Sequence, residues 1–168
     1  ASLYGTGATP QLVPSINGVN TANTDWQDEV YSSAWTQNLS ASISNASEKG
    51  SYLFSANYID QNGLMDNTFY KRFSGRVNST YNFSKYVRVG ENLMVARWSN
   101  RGADTNGDRG IPYSAMRQHP AIPVYSADGV FADPSALLGS DIDNPVQTLY
   151  NMRDTTNTSW RVFGNAHI

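Results

Sequence analysis

The sequence predicts an all-β protein, an antiparallel up-and-down meander of five strands. Three observations carry this prediction: long stretches alternate between apolar and polar residues, short turn sequences separate them, and no βαβ rhythm or heptad appears. Strands joined by short turns run antiparallel. The apolar faces of such strands meet either the core of a soluble sandwich or the lipid of a membrane.

The bounds of the five strands follow from the alternation and from the turns. Side chains on a strand point to opposite faces in turn, so each alternating run defines an apolar and a polar face. Residues 1–33 carry Gly, Pro, Asn and Thr punctuation, which predicts an irregular segment with a short helix capped by Thr24 or Asp25. The partial barrel wall would occupy residues 34–168, with strands at 35–43, 52–59, 69–83, 86–99 and 158–168.

The third and fourth strands show the two faces most clearly. Their apolar parity carries Phe69, Phe73, Val77, Tyr81, Phe83, Leu93 and Val95. Their polar parity carries Arg72, Arg76, Asn78 and Asn92. Glu91 opposes this pattern, because it falls on the apolar parity, where a carboxylate facing mid-bilayer is costly. A position near the interface, a bulge that shifts the register, or contact with a neighbouring segment would each accommodate it.

The connections between the strands alternate in length. Residues 44–50 and 84–85 form short turns, whereas residues 60–67 and 100–157 form longer loops. Membrane barrels have short periplasmic turns on one side and longer extracellular loops on the other. The predicted strands are also longer than the ~5–6 residues typical of globular proteins. Both features favour a membrane barrel wall.

Composition excludes several classes of function. The chain of 168 residues has a net charge of -2 with scattered Lys and Arg, which argues against nucleic-acid binding. The absence of Cys excludes disulfide scaffolds and cysteine metal sites. Charged residues make up only 15% and aromatic residues 12%, a composition that suits strand-built surfaces. A secreted β-sandwich that binds carbohydrate has the same composition and is the alternative.

Candidate binding residues lie in the long loop. Tyr113, Arg117, His119 and Tyr125 combine aromatic planes with a guanidinium group, which suits sugars or peptide groups. The alternative is a loop that packs on itself through its Ile and Pro residues. No nucleophile elbow or phosphate-binding loop is found, so neither an enzyme nor a cofactor is expected.

A weak calcium motif lies at the start of the same loop. Asp104, Asn106 and Asp108 place oxygens at alternate positions, as calcium loops do. Arg109 stands where such loops need Gly, and Ala115 stands where a bidentate Glu closes the site. A polar turn is therefore the preferred interpretation, and no metal is expected.

Several segments resemble, in the correct order, SusC/RagA-type TonB-dependent outer-membrane transporters of Bacteroidetes. They are TDWQDE, SEKGSY, YIDQNGL, NTFYKRFSGRVN, YVRVGENL, PAIPVYSADGVF, NPVQTL and RVFGNA. The likeness covers about residues 23–168. It implies a fragment of a transmembrane barrel of about twenty-two strands: early barrel strands and one long extracellular loop. A plug domain and the remaining strands would come from the rest of the same transporter.

The resemblance also implies a function and a set of partners. Such transporters import glycans or peptides bound jointly with a SusD-like surface lipoprotein. TonB drives them through an N-terminal part outside this sequence. The apolar residues named above would then face outer-membrane lipid, and the polar ones would line the lumen or touch the plug. Loop 100–157 would contribute to the substrate chamber.

Overall fold

The computed structural model describes the backbone of residues 15–16 and 19–20 and all of residues 22–168. None of the described helices is long and apolar enough to cross a membrane. The elements follow in the order β1 (Ser15–Ile16), β2 (Val19–Asn20), α1 (Trp26–Val30), β3 (Thr36–Ser47), β4 (Gly50–Asn62), β5 (Phe69–Asn82), β6 (Arg88–Arg101), α2 (Ile111–Arg117), α3 (Pro134–Leu138), α4 (Pro145–Asn151), a 3-10 turn (Met152–Asp154) and β7 (Asn157–His167).

Strands β3 to β7 form one antiparallel sheet in the order of the sequence, which confirms the predicted meander. Each ladder is continuous from end to end, so a single register aligns residues across all five strands. The strands contain 12, 13, 14, 14 and 11 residues. Each is at least as long as the ~9–11 residues that a tilted strand needs to cross a bilayer.

The first turn is shorter than the sequence indicated. Strand β3 continues to Ser47 and β4 begins at Gly50, so a two-residue turn replaces the expected turn at 44–50. Gly50 has a φ of 154°, and a Cβ atom there would overlap the carbonyl oxygen of Thr80 on β5. Ser and Asn are common in turns, which is why the residues near Ser47 were predicted to form one. They also fit a strand whose side chains are exposed, as those of β3 are.

Two compact units make up the chain. The sheet unit contains Ser33–Leu64, Thr68–Gly102 and Asp154–Ile168. The loop unit contains the described residues up to Ser32, together with Met65–Asn67 and Ala103–Arg153. In sequence, the segments of the loop unit precede β3, join β4 to β5, and join β6 to β7. All three therefore connect to the same end of the antiparallel ladder.

The loop unit has an apolar core of its own. The long loop predicted between residues 100 and 157 contains three short helices, α2, α3 and α4. Each carries a proline in its first turn, where the missing N–H costs no helical hydrogen bond. The buried cluster contains Trp26, Val30, Ile111, Ala115, Ile122, Val124, Ala132 and Leu149.

Residues before β3 join this core through both backbone and side chains. Helix α1 begins after Asp25, whose carboxylate accepts from the N–H groups of Gln27 and Asp28. The Thr24 N–H donates to the Pro120 carbonyl (2.9 Å). The Trp26 indole N–H donates to the carbonyl of His119 (3.1 Å).

A buried amide fixes the start of α4. Asn144 Oδ1 accepts from the N–H groups of Val146 (3.1 Å) and Gln147 (3.3 Å), which caps the helix. Asn144 Nδ2 donates to the carbonyls of Val124 (3.0 Å) and Ala132 (3.3 Å). These two carbonyls flank a hairpin closed by the Ala132 N–H to Val124 carbonyl bond. One side chain therefore holds a helix and a hairpin together.

Substitution Asn144→Ala in the full-length protein should destabilise the loop unit by about 2–3 kcal/mol, because buried N–H and carbonyl groups lose their partner. Hydrogen–deuterium exchange should accelerate at Val146 and Ala132. The matched control is Asn151→Ala, because Asn151 is exposed at the end of α4. Equal exchange rates in the two variants would contradict this role for Asn144.

Candidate functional site

One face of the sheet unit is apolar and exposed. Two neighbouring rows cross all five strands at its centre: Ala41, Ala56, Gly75, Val95 and Val162, then Ile43, Phe54, Val77, Leu93 and Gly164. Phe73 is 57% exposed and Val162 is 67% exposed. A β-sandwich buries its inner faces against a second sheet. This exposure therefore does not support the sandwich alternative.

Aromatic side chains border the apolar face at both ends. Tyr58, Phe73 and Trp160 lie in one row toward the loop end of the ladder. Tyr81 lies toward the turn end and packs edge-on against Phe83, with ring centres 4.8 Å apart. Phe73 and Tyr81 are eight positions apart on β5, about 26 Å at ~3.3 Å per residue. Outer-membrane barrels carry an apolar band ~25 Å tall between aromatic girdles.

Charged residues on this face lie away from its centre. Glu91 accepts a hydrogen bond from Ser79 Oγ (3.2 Å), three positions from the start of β6, and its ladder contains no bulge. The unbroken ladder excludes a bulge at Glu91, and the bond from Ser79 shows that Glu91 contacts the neighbouring strand. The two central rows, which contain Val77 and Val95, carry no charged residue.

Sequence reasoning did not single out Lys71 and Arg97, two of the three cations on the apolar face; the third, Arg101, lies opposite Phe69 at the end of β6. Lys71 Nζ forms an ion pair with Asp60 Oδ2 (3.1 Å) across the β4–β5 ladder. The guanidinium carbon of Arg97 lies 5.4 Å from the ring centre of Trp160. Strict parity counting from Phe73 and Val95 identifies both cations. Their partners explain how the face accommodates them.

The opposite face is polar, and we call it the polar face. Arg72, Arg76, Asn78 and Asn92 share it, as the alternation predicts. Ser and Asn side chains are the commonest residues at the remaining positions and include Asn38, Ser40, Ser42, Ser44, Ser55, Asn57, Ser74 and Asn165. The two faces of one sheet therefore offer two different environments.

The loop unit brings together only some of the candidate binding residues. On α2, the Arg117 guanidinium donates to the Tyr113 hydroxyl (3.0 Å) and lies 5.0 Å from the ring centre of Tyr113. His119 is engaged locally, because its Nδ1 accepts from the Ala121 N–H (3.1 Å). Tyr125 belongs to a different cluster. The four residues therefore do not form a single constellation.

An aromatic cluster around Tyr125 was not recognised in the sequence. Tyr125 and Phe131 face each other across a short antiparallel bridge, with ring centres 4.9 Å apart and planes 30° apart. Phe131 contacts Tyr150 (5.3 Å), whose ring lies 3.6 Å from the guanidinium carbon of Arg153. Tyr125 and Phe131 lie on either side of the Asp128–Gly129 pair in the sequence, and this turn signal between two aromatic residues could have predicted the hairpin.

The calcium-like segment forms a local polar turn. Asp104 Oδ1 accepts from the Asn106 N–H (3.0 Å), and the Asp104 carbonyl accepts from the Ile111 N–H (2.8 Å). Within residues 22–168, no three His, Cys, Asp or Glu side chains are grouped closely enough to hold a metal ion. Asp108 lies in this turn as well.

One carboxylate in the loop unit has a shifted pKa. Asp133 Oδ1 accepts from the Ser135 hydroxyl (2.8 Å) and from the N–H groups of Ser135 (2.9 Å) and Ala136 (3.4 Å). Bonds to the charged form favour it. The Ser135 hydroxyl and these two N–H groups therefore hold the pKa of Asp133 below its ordinary value. This cap fixes the start of α3, and Gly139 ends that helix with a φ of 62°.

Comparison with known proteins identifies three relatives. TonB-dependent receptor P3 of Formosa agariphila is 35% identical over 74% of this chain and 13% of its own length. TonB-dependent receptor SusC of Bacteroides thetaiotaomicron is 28% identical over 88% of this chain and 14% of its own length. TonB-dependent receptor P26 of Formosa agariphila is 29% identical over 89% of this chain and 14% of its own length.

The relatives are transporters rather than enzymes, which confirms the expectation that the chain is not part of an enzyme. The chain spans only 13–14% of the length of the relatives that it matches. No family model matches the chain.

Substitution Val77→Arg should prevent stable membrane insertion of the full-length protein, because a cation in the central apolar row costs about 2–4 kcal/mol in lipid. The yield of heat-modifiable, folded protein in the outer-membrane fraction measures this effect. The matched control is Ser42→Arg, at a similar depth on the polar face, which should leave the yield unchanged. Equal losses in both variants would refute the assignment of faces.

The Asp133 cap should make α3 dependent on pH. Because the folded-state pKa is lowered, the carboxylate stabilises α3 above its ordinary unfolded value of about 3.9. That stability is lost as the pH falls through the folded-state pKa. Hydrogen exchange of α3 should therefore be faster in Asp133→Ala than in the parent at pH 6. The difference should shrink as the pH falls below that ordinary value, because the protonated carboxyl is a weaker acceptor for the N–H groups of Ser135 and Ala136. A difference that does not change with pH would contradict this origin.

Proposed function

This chain belongs to the SusC-type TonB-dependent receptors, and we propose that it forms part of the barrel wall of an importer of glycans or peptides. TonB-dependent receptors are outer-membrane proteins, so the chain is located in the bacterial outer membrane. The cargo crosses that membrane through the receptor of which this chain is a part.

The single observation that carries the proposal is the two-faced sheet. Phe73, Val77, Leu93 and Val95 contact lipid acyl chains, and the aromatic residues Phe69, Tyr81 and Phe83 lie toward the membrane interfaces. The exposure of the apolar face and its aromatic borders support this assignment. Lipid removes the cost of exposing these side chains to water.

The polar face lines the lumen in this proposal. Arg72, Arg76, Asn78 and Asn92 contact water, the plug domain or cargo. The alternation of polar and apolar faces along strands of 12–14 residues supports the assignment. Porin-type lumens accept such polar side chains, whereas the bilayer core does not.

The remainder of the same transporter completes the barrel. Strands β3 and β7 are the outer strands of the described sheet, so each has a free row of backbone N–H and carbonyl groups. In lipid those groups require partners, which further strands of the receptor supply. TonB acts through another part of the polypeptide, and a SusD-like surface lipoprotein shares the cargo. The similarity to the TonB-dependent receptor SusC of Bacteroides thetaiotaomicron supports both of these partners.

The loop unit contributes to the chamber that receives cargo. Its buried core and the Asn144 bonds give it a defined structure, so its side chains are held in place. Tyr113 with Arg117, and Tyr125 with Phe131, offer ring faces and hydroxyl groups for glycans or peptides. His119 lies in the segment between them.

The test is uptake by intact cells. The strain that carries the full-length receptor should take up one glycan or peptide from a defined panel. Deletion of the receptor gene, or inactivation of TonB, should abolish that uptake. Affinity purification of the tagged receptor should also recover a lipid-modified surface protein. Uptake that persists without TonB would reject the proposed import function.

A further inference from the structure

The cations of the apolar face all lie at one end of the sheet. Lys71, Arg97 and Arg101 occupy three successive rows of cross-strand pairs toward the loop end of the ladder. One carboxylate, Asp60, lies among them and pairs with Lys71. Toward the turn end, the described part of this face carries Glu91 and no cation. The loop end of the apolar face is therefore positively charged.

The three cations have different surroundings. Lys71 leaves 48% of its side chain exposed while its Nζ contacts Asp60, and an ammonium group has three N–H donors. Arg97 is exposed, and within the described residues its guanidinium forms no ion pair and lies beside the Trp160 ring. Arg101 is held by hydrogen bonds to the segment that leads into β7. Lys71 and Arg97 therefore have N–H groups left for an external acceptor.

The loop end of the sheet is its extracellular end in the proposed function. The β6–β7 connection, which contains α2, α3 and α4, leaves the sheet there. At the other end, two residues join β3 to β4 and five join β5 to β6. Outer-membrane barrels have short turns on the periplasmic side and longer loops on the extracellular side. The three cations therefore lie at the level of the outer leaflet.

The depth of these cations matches the headgroup layer of a membrane. Arg97 lies in the aromatic row that contains Phe73 and Trp160. Lys71 is two positions from Phe73, and Arg101 is four positions from Arg97, which is about 7 Å and 13 Å along the strands. A strand tilt of about 40° reduces these distances to depths of about 5 Å and 10 Å. The headgroup layer extends about 5–8 Å beyond the hydrocarbon, so Lys71 lies within it.

We propose that Lys71 and Arg97, with Arg101 beside them, bind the phosphate group of a lipid in the outer leaflet. The inference rests on the proposed function, which turns this face toward lipid. Cationic side chains at a membrane surface attract anionic headgroups, and the guanidinium fork matches a phosphate in shape and charge. The outer leaflet of a bacterial outer membrane is built largely from a phosphorylated glycolipid, which supplies such phosphates.

A lipid fits this site better than a free phosphate ion. Trp160 is 66% exposed and Phe73 is 57% exposed beside the cations, so the occupant must cover apolar as well as charged surface. A lipid does both, because its acyl chains lie over the apolar rows while its phosphate reaches Lys71 and Arg97. A free ion covers only the charge.

Lipid binding to the full-length receptor in detergent tests this inference. The probes are lipid A, the phosphorylated anchor of that glycolipid, and the same lipid after enzymatic removal of its phosphates. EDTA keeps divalent cations from bridging lipid phosphates to Asp60. Native mass spectrometry measures the dissociation constant of each lipid. The parent should bind lipid A about tenfold more tightly than the dephosphorylated lipid, and this preference should shrink as the concentration of ammonium acetate rises.

Variants assign the preference to these side chains. Arg97→Gln should lose most of the preference for lipid A, and Arg97→Lys, which keeps the charge, should retain part of it. The double variant Lys71→Gln, Asp60→Asn removes the ion pair without changing the net charge and should also weaken the preference. The matched control is Arg88→Gln, which removes a positive charge from the polar face near the turn end and should behave as the parent. Heat-modifiable migration reports whether each variant has folded.

The outcomes separate this inference from the import proposal. Equal affinity of the folded parent for the two lipids overturns the inference, and so does a folded Arg97→Gln variant with the preference of the parent. Displacement of lipid A by millimolar inorganic phosphate assigns the site to a free anion and also overturns it. TonB-dependent uptake is measured separately in intact cells, so each of these results leaves the import proposal standing. Uptake that persists without TonB rejects import whatever the lipid preference.

Discussion

The continuous hydrogen-bonded register of five strands is the constraint on which the other features depend. Side chains alternate between the faces of a strand, so a slip of one residue would exchange the two faces completely. The unbroken ladders keep Val77 in line with Phe54 and Leu93, and keep Arg76 in line with Ser55 and Met94. The separation of apolar and polar side chains onto the two faces of the sheet therefore follows from the backbone pairing.

The sheet could be predicted from the sequence because its signal is local. A period of two residues needs no knowledge of distant contacts, and Phe69 to Phe83 shows it with Lys71 as the one charged residue on the apolar parity. Smaller errors arose where residues were assigned to a face by their polarity rather than by their odd or even position in the strand. Lys71 and Arg97 were overlooked because neither belongs to the visible apolar series, although both obey its parity. Their ion pair and aromatic contact depend on neighbouring strands.

The loop unit was harder to predict because its helices are short and its core joins distant segments. Helices of 5–7 residues are too short to show a helical period. The combination of an N-cap residue and proline, as in Asp133–Pro134 and Asn144–Pro145, was a usable signal that was read as a loop. Contacts such as Trp26 with His119 join residues 93 positions apart, which no local pattern reveals.

The central claim is that adjacent residues of β5 face lipid and water in turn. Spin labels attached to single cysteines introduced from Phe73 to Tyr81, in the full-length receptor reconstituted in bilayers, measure this directly. Accessibility to oxygen should peak at every odd-numbered position from Phe73 to Tyr81, and accessibility to a water-soluble nickel complex should peak at every even-numbered position from Ser74 to Thr80. Uniform accessibility to both reagents, or burial from both at every position, would contradict the account.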